Sequence, residues 1–122
     1  MSSKKLLVID DDPDVGLFCK TILEPLGYSV STIFEAAHAI EKINEIKPDL
    51  IILDIILEEA DSGIKLAREF PEKIGNIPVL LLSSIAKASE ALIDVSSLPV
   101  KEVINKPIDP EVLIEKVKAI IG

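Results

Sequence analysis

Four apolar runs of strand length each end in a polar group. Leu6-Leu7-Val8-Ile9 is followed by Asp10, Asp11 and Asp12, and Leu50-Ile51-Ile52-Leu53 by Asp54. Val79-Leu80-Leu81-Leu82 leads into Ser83 and Ser84, and Val103-Ile104-Asn105 into Lys106 and Pro107. In a parallel sheet the ends of such runs lie along one edge, where open α/β sheets bind ligands. A carboxylate cluster, a hydroxyl and an ammonium would meet there. Crowded carboxylates repel one another and need a cation to offset them. Hard oxygen ligands suit Mg2+, which takes a few carboxylates, several waters and a phosphate oxygen. The set therefore suits a divalent metal and a phosphoryl group. One aspartate after one strand reads better as a helix cap or a solvated loop. Aspartate at two strand ends, with serine and lysine at two others, does not.

The strands that would carry these groups are expected at about 5–10, 28–32, 50–54, 77–82 and 100–105. They are rich in Val, Ile and Leu with little polar alternation, the pattern of strands buried on both faces. Helical patterns fall between them. In the first, Asp12 is placed to cap and Pro13 opens the first turn. Val15, Phe18, Cys19, Ile22 and Leu26 form its apolar face, and Gly27 stops it. The second, about 36–46, carries Ala36, Ala39, Ile40, Ile43 and Ile46 and ends before Pro48. The third, about 62–70, carries Ile64, Leu66, Ala67 and Phe70. The fourth, about 86–95, has mainly Leu92 and Val95 as anchors and is expected to be short. The last is capped by Asp109, starts at Pro110, and buries Leu113, Ile114, Val117, Ile120 and Ile121. Ile108 and Leu113 sit at the spacing of a hydrophobic staple. Five strands alternating with five helices define an α/β protein with a parallel sheet and right-handed crossovers.

At 122 residues and 48% hydrophobic, the chain is one domain with ample core. Three Phe, one Tyr and no Trp make that core aliphatic. A net charge of −8 argues against nucleic-acid binding through a basic surface. Cys19 has no disulfide partner and reads as a small buried hydrophobe. Lys4 and Lys5 precede only four apolar residues, which is no signal peptide. No run approaches membrane-spanning length. A cytoplasmic protein without a membrane partner is expected. His38 reads as a surface residue in the middle of the second helix, and Glu58, Glu59 and Asp61 as a solvated loop.

The segments VIDDDPD (8–14), LIILD (50–54), IPVLLLSS (77–84) and INKP (104–107) stand in order at suitable spacing. On these the chain resembles, over essentially all its length, the response-regulator receiver domains of two-component signalling. The resemblance implies a flavodoxin-like, doubly wound (βα)5 fold with a five-stranded parallel sheet in the order 2-1-3-4-5. It implies that Asp10 and Asp11 are the acidic pair, Asp11 being the more direct metal ligand. It places the phosphoacceptor on Asp54 and gives Ile56 the role of lending a backbone carbonyl to the metal. It gives Ser83 a hydrogen bond to the phosphoryl group. Lys106 would pair with the phosphoryl oxygens and join Pro107 by a cis bond. Such roles are chemically sound: a carboxylate nucleophile forms an aspartyl phosphate, and Mg2+ with lysine offsets the charge in transfer.

The function implied is that of a single-domain response regulator over residues 1–122, with no output domain. It would take a phosphoryl group from a histidine kinase or phosphotransfer protein, catalyse its own phosphorylation and dephosphorylation, and act on a downstream protein. The monomer is the expected state, with dimerisation on phosphorylation left open. Three positions depart from the family pattern. Glu58 stands where a proline is usual, before an Asp61-Ser62-Gly63 stretch one residue longer than the common form. Val103 occupies the aromatic switch position three residues before the lysine, and Ile56 is apolar where many relatives are polar. Ile56 and Ile85 would flank the path of an attacking water, so a long phosphorylated lifetime is expected. The rival readings are a receiver-like module that signals without phosphorylation, an aspartyl phosphatase, and a flavodoxin-like electron carrier. The phosphatase would want an acid at Ile56, and the carrier would want hydroxyls and glycines where the three aspartates stand.

Overall fold

A strand whose every residue is apolar must be covered on both faces, and the two central strands meet that demand. The computed structural model describes residues 3–54, 62–83 and 100–122. Strands β1 (Lys5–Ile9), β2 (Ser29–Ile33), β3 (Leu50–Asp54), β4 (Val79–Ser83) and β5 (Glu102–Asn105) form one sheet. Their order is β2-β1-β3-β4-β5 and every neighbouring pair is parallel. This is the doubly wound order that the resemblance implied.

The pleat sorts alternate residues onto two faces. Leu7, Ile9, Ile51, Leu53 and Leu81 pack on one, beneath α2 (Ala39–Ile46) and α3 (Ser62–Lys73). Leu6, Val8, Leu50, Ile52 and Leu82 pack on the other, beneath α1 (Pro13–Leu23) and the final helix, here α4 (Pro110–Ile121). The residues of β1 and β3 on both faces are at most 1% exposed from Leu6 to Ile9 and from Leu50 to Leu53. Burial so complete leaves no slack in register, because a slip by one residue would exchange the two faces.

Two helix starts match the sequence expectation in detail. The Asp12 side chain accepts from the Asp14 amide, with Pro13 in the first turn of α1. The Asp109 side chain accepts from Glu111 and Val112, with Pro110 in the first turn of α4. Ile108 and Leu113 both join the cluster under α4.

Three boundaries differ. The α1 helix ends at Leu23 and tightens into a 3-10 turn over Glu24–Leu26, closed by Gly27 at φ 97°. Pro25 has no amide proton to give the preceding turn. The change of pitch carries Leu26 off the apolar face, to 45% exposed, and Leu23 is the fully buried residue instead. The α2 helix begins at Ala39, not near 36. Residues 36–39 form a turn closed by Ala39 N to Ala36 O, with His38 at φ 64°. His38 therefore caps α2 and does not lie within it, although it is exposed as expected, with Nδ1 3.4 Å from Glu41 Oε2. The α3 helix continues past Pro71 to Lys73, and Ile74 N still donates to Phe70 O. Proline withholds its own donor and crowds the preceding turn, but the donors after it still pair, and Phe70 beside it is buried.

Cys19 is fully buried, and its thiol is pushed up to about 12 by burial, with Asp10 adding to the rise and Lys106 opposing it. That is the inert thiol the sequence suggested. Among the described residues no helix is long and apolar enough to cross a membrane. The expected fourth helix lies outside the described residues, as do Ile56, Glu58, Glu59, Asp61, Ser84 and Ile85.

Candidate functional site

The site follows from strand register. Ile9 pairs with Leu53, so the next residues, Asp10 and Asp54, emerge side by side from the two central strands. Both continue the parity of Leu6, Val8, Leu50 and Ile52, and so share the face under α1 and α4. Asp10 is 1% exposed and Asp54 4%, whereas Asp11 is exposed. One carboxylate oxygen from each of Asp10, Asp11 and Asp54 lies within 4.8 Å of the others.

Lys106 arrives from β5, two strands away. Ser83 pairs with Asn105, and the Ser83 carbonyl accepts from the Lys106 amide at 2.7 Å, which carries the main chain on toward the cluster. The Lys106–Pro107 peptide is cis, as expected. The ammonium reaches Asp10 Oδ2 at 3.1 Å and Asp54 Oδ2 at 3.3 Å. The second oxygen of Asp10 accepts from the Asp12 amide at 2.9 Å, so both of its oxygens are held. Burial alone would lower the pKa of Lys106. The carboxylates of Asp54 and Asp10 outweigh that, and the net shift is upward. The lysine stays charged at neutral pH.

Three carboxylates against one ammonium leave the cluster short of positive charge. A divalent cation would correct this, and the donor set is all hard oxygen. Two buried carboxylates provide the floor, and exposed Asp11 leaves the outer side to water, which Mg2+ retains when it binds. The residues present therefore fit that ion. Ser83, 3% exposed, ends β4 beside the cluster.

Of the residues expected in the site, Asp10, Asp11, Asp54 and Lys106 come together, and Ser83 stands at the adjoining strand end. Ile56 falls outside the described residues. Val103 is half-buried, paired with Leu81 and packed with the cluster under α2 and α3. Beyond its cap, Asp12 also donates its amide to Asp10, a contact its residue type does not announce. Backbone donors carry no residue-type signal, so nothing in the sequence marked it.

A doubly wound sheet thus carries an acidic cluster and a lysine at its carboxyl edge, an arrangement compatible with a receiver domain. Residues 6–118 match the response regulator receiver domain family, and the chain belongs to it. It is thus the receiver domain of a two-component response regulator. It is similar to the alkaline phosphatase synthesis transcriptional regulatory protein PhoP of Bacillus subtilis, with 30% identity over 98% of this chain and 49% of that one. The receiver domain of NtrX from Brucella abortus matches at 29% identity and TM-score 0.79, covering 95% of this chain and 97% of that one. The BeF3-activated N-terminal receiver domain of RstA from Klebsiella pneumoniae matches at 28% identity and TM-score 0.78, covering 96% and 97%. The chain spans about half the length of PhoP and of similar curated regulators.

Proposed function

We propose that this chain accepts a phosphoryl group on Asp54 from a phosphohistidine of a histidine kinase or phosphotransfer protein. The observation that carries this reading is the position of Lys106, its ammonium 3.1 Å from Asp10 and 3.3 Å from Asp54 beside a three-carboxylate cluster. Asp10, Asp11 and Asp54, with the backbone carbonyl of Ile56, would hold Mg2+, which supplies charge neutralisation to the transferring group. An Asp54 carboxylate oxygen attacks phosphorus. The P–N bond to the donor imidazole breaks, and the imidazole keeps the electron pair and takes up a proton. The product is a mixed anhydride on Asp54. Lys106 leaves its carboxylate partners to pair with the phosphoryl oxygens, and the Ser83 hydroxyl donates a hydrogen bond to them. The same groups serve hydrolysis of the anhydride by water, so the protein catalyses both its loading and its discharge.

Residues 1–122 act in this reading as one receiver unit in the cytoplasm, signalling through contacts with a downstream protein or by passing the phosphoryl group on. The net charge of −8 supports a protein partner over direct nucleic-acid contact. Val103 in place of an aromatic favours one second reading, a module that signals without phosphorylation, because the usual hydroxyl–aromatic movement has no ring to move. Intact mass after incubation with acetyl phosphate and Mg2+ separates the two. The phosphoacceptor reading expects one phosphoryl adduct on the wild type and none on a folded Asp54→Asn variant. An unlabelled wild type would support the second reading.

A further inference from the structure

We propose that Gly16 is a positioning residue for the phosphoryl site: by letting α1 rest directly on β2 it aligns the Asp12 amide that holds Asp10 against Lys106. The inference rests on the reading of Asp54 as phosphoacceptor. Gly16 is the fourth residue of α1, buried, with no positive φ to explain it. Glycine there costs helix stability relative to alanine, so a packing reason is needed. The contact with β2 supplies one. A Cβ built on Gly16 would lie 2.7 Å from Thr32 Cγ2 and 3.3 Å from Thr32 Cβ. A side chain at 16 would meet the Thr32 side chain first, so the methyl of Thr32 or the helix itself must give way.

That approach is relayed to the site by short links. Asp12 caps the same helix four residues earlier, its side chain on the Asp14 amide and its own amide on Asp10 Oδ1 at 2.9 Å. Asp10 Oδ2 in turn receives Lys106 Nζ at 3.1 Å. The other end of the contact is tied to the same aspartate, since the Asp10 amide donates to the carbonyl of Ile33, next to Thr32. Asp10 is thus clamped between the start of α1 and the end of β2, and the Gly16–Thr32 contact sets the spacing of the clamp. Asp12 caps the helix that carries Gly16, so a shift of α1 at Gly16 is carried toward the Asp12 amide. Displacement of a positioning group by a fraction of an ångström lowers the rate of a transfer step with little change in binding.

The test is the rate of Asp54 phosphorylation by acetyl phosphate at saturating Mg2+, at a temperature well below each variant's unfolding midpoint. Gly16→Ala is expected to lower the saturated rate about tenfold, with KM for acetyl phosphate within about twofold of wild type. Thr32→Ile, which crowds the contact from the strand side, should do the same if Gly16→Ala folds poorly. Thr32→Ser removes the methyl that a Cβ at 16 would strike. Relative to Thr32→Ser alone, adding Gly16→Ala should therefore cost less than about twofold. Asp49→Ala provides the stability control, because it breaks the bond to the Lys5 amide at the opposite edge of the sheet and should leave the saturated rate unchanged. A folded Gly16→Ala with the wild-type rate would overturn the proposal, as would an equal loss in the Thr32→Ser background. A wild type that takes no phosphoryl group at Asp54 would overturn the underlying reading itself.

Discussion

At the scale of single residues, charge decides what the site tolerates. Two buried carboxylates are held against one half-buried ammonium, and losing the ammonium is costly because the carboxylates stay buried. Lys106→Met should therefore lower the unfolding midpoint of the metal-free protein, and Mg2+ should recover part of the loss. Mg2+ should also raise the wild-type midpoint, since it binds only the native arrangement of Asp10, Asp11 and Asp54. At ten times its Kd the gain is about 1.4 kcal/mol. Thermal melts with and without Mg2+ check this, and an equal rise in Asp11→Ala would count against the cluster as the binding site. Cys19 gives a second test. Its pKa stands at about 12 in the folded chain against 9.0 as the ordinary value. Between these values the unfolded chain sheds the thiol proton and the folded chain keeps it. The stability due to the neutral buried thiol is complete below pH 9 and lost as pH rises toward 12. Urea unfolding should show the advantage of wild type over Cys19→Ala shrinking above pH 9 by about 1.4 kcal/mol per pH unit. A gap that is the same at pH 8 and pH 10.5 would mean that the thiol is not held neutral by burial.

At the scale of elements, side-chain caps were legible and main-chain turns were not. Asp12 with Pro13 and Asp109 with Pro110 announce helix starts through residue type, and both are where the sequence puts them. Asp109→Ala should destabilise the fold by about 1 kcal/mol, the usual worth of an N-cap, measured as a shift in the urea midpoint at unchanged slope. A loss below a few tenths would show that water satisfies the first turn of α4 equally well. The α2 helix starts three residues later than its sequence suggests because Ala36 and Ala37 favour helix, while the turn that excludes them is closed by backbone groups. The exposure of Leu26 was missed for a similar reason. Its spacing fits the α-helical face, and only the 3-10 turn around Pro25 rotates it outward. Strands β1, β3 and β4 were legible because burial on both faces leaves continuous apolar runs, whereas the edge strands β2 and β5 are only partly buried.

At the scale of the whole molecule, the polar ends of those strands foretold the site because parallel strands in register bring their carboxyl ends to one edge. Asp10, Asp11, Asp54 and Lys106 meet there from three strands that span residues 5–105 of the chain. What the sequence could not show is how each group is aimed. That depends on the Asp12 amide and the Ser83 carbonyl, neither of which is a property of residue type. The strand order itself came from the family resemblance, since alternation of strands and helices is compatible with several orders.

Chemical mapping of the acyl phosphate tests Asp54 as the acceptor most directly. The protein is loaded with acetyl phosphate and Mg2+, reduced with borohydride, which converts an aspartyl phosphate to homoserine, and read by peptide mass spectrometry. Reduction is expected at residue 54 alone, dependent on Mg2+. Reduction at Asp10 or Asp11, or none anywhere in a folded protein, would contradict Asp54 as the acceptor.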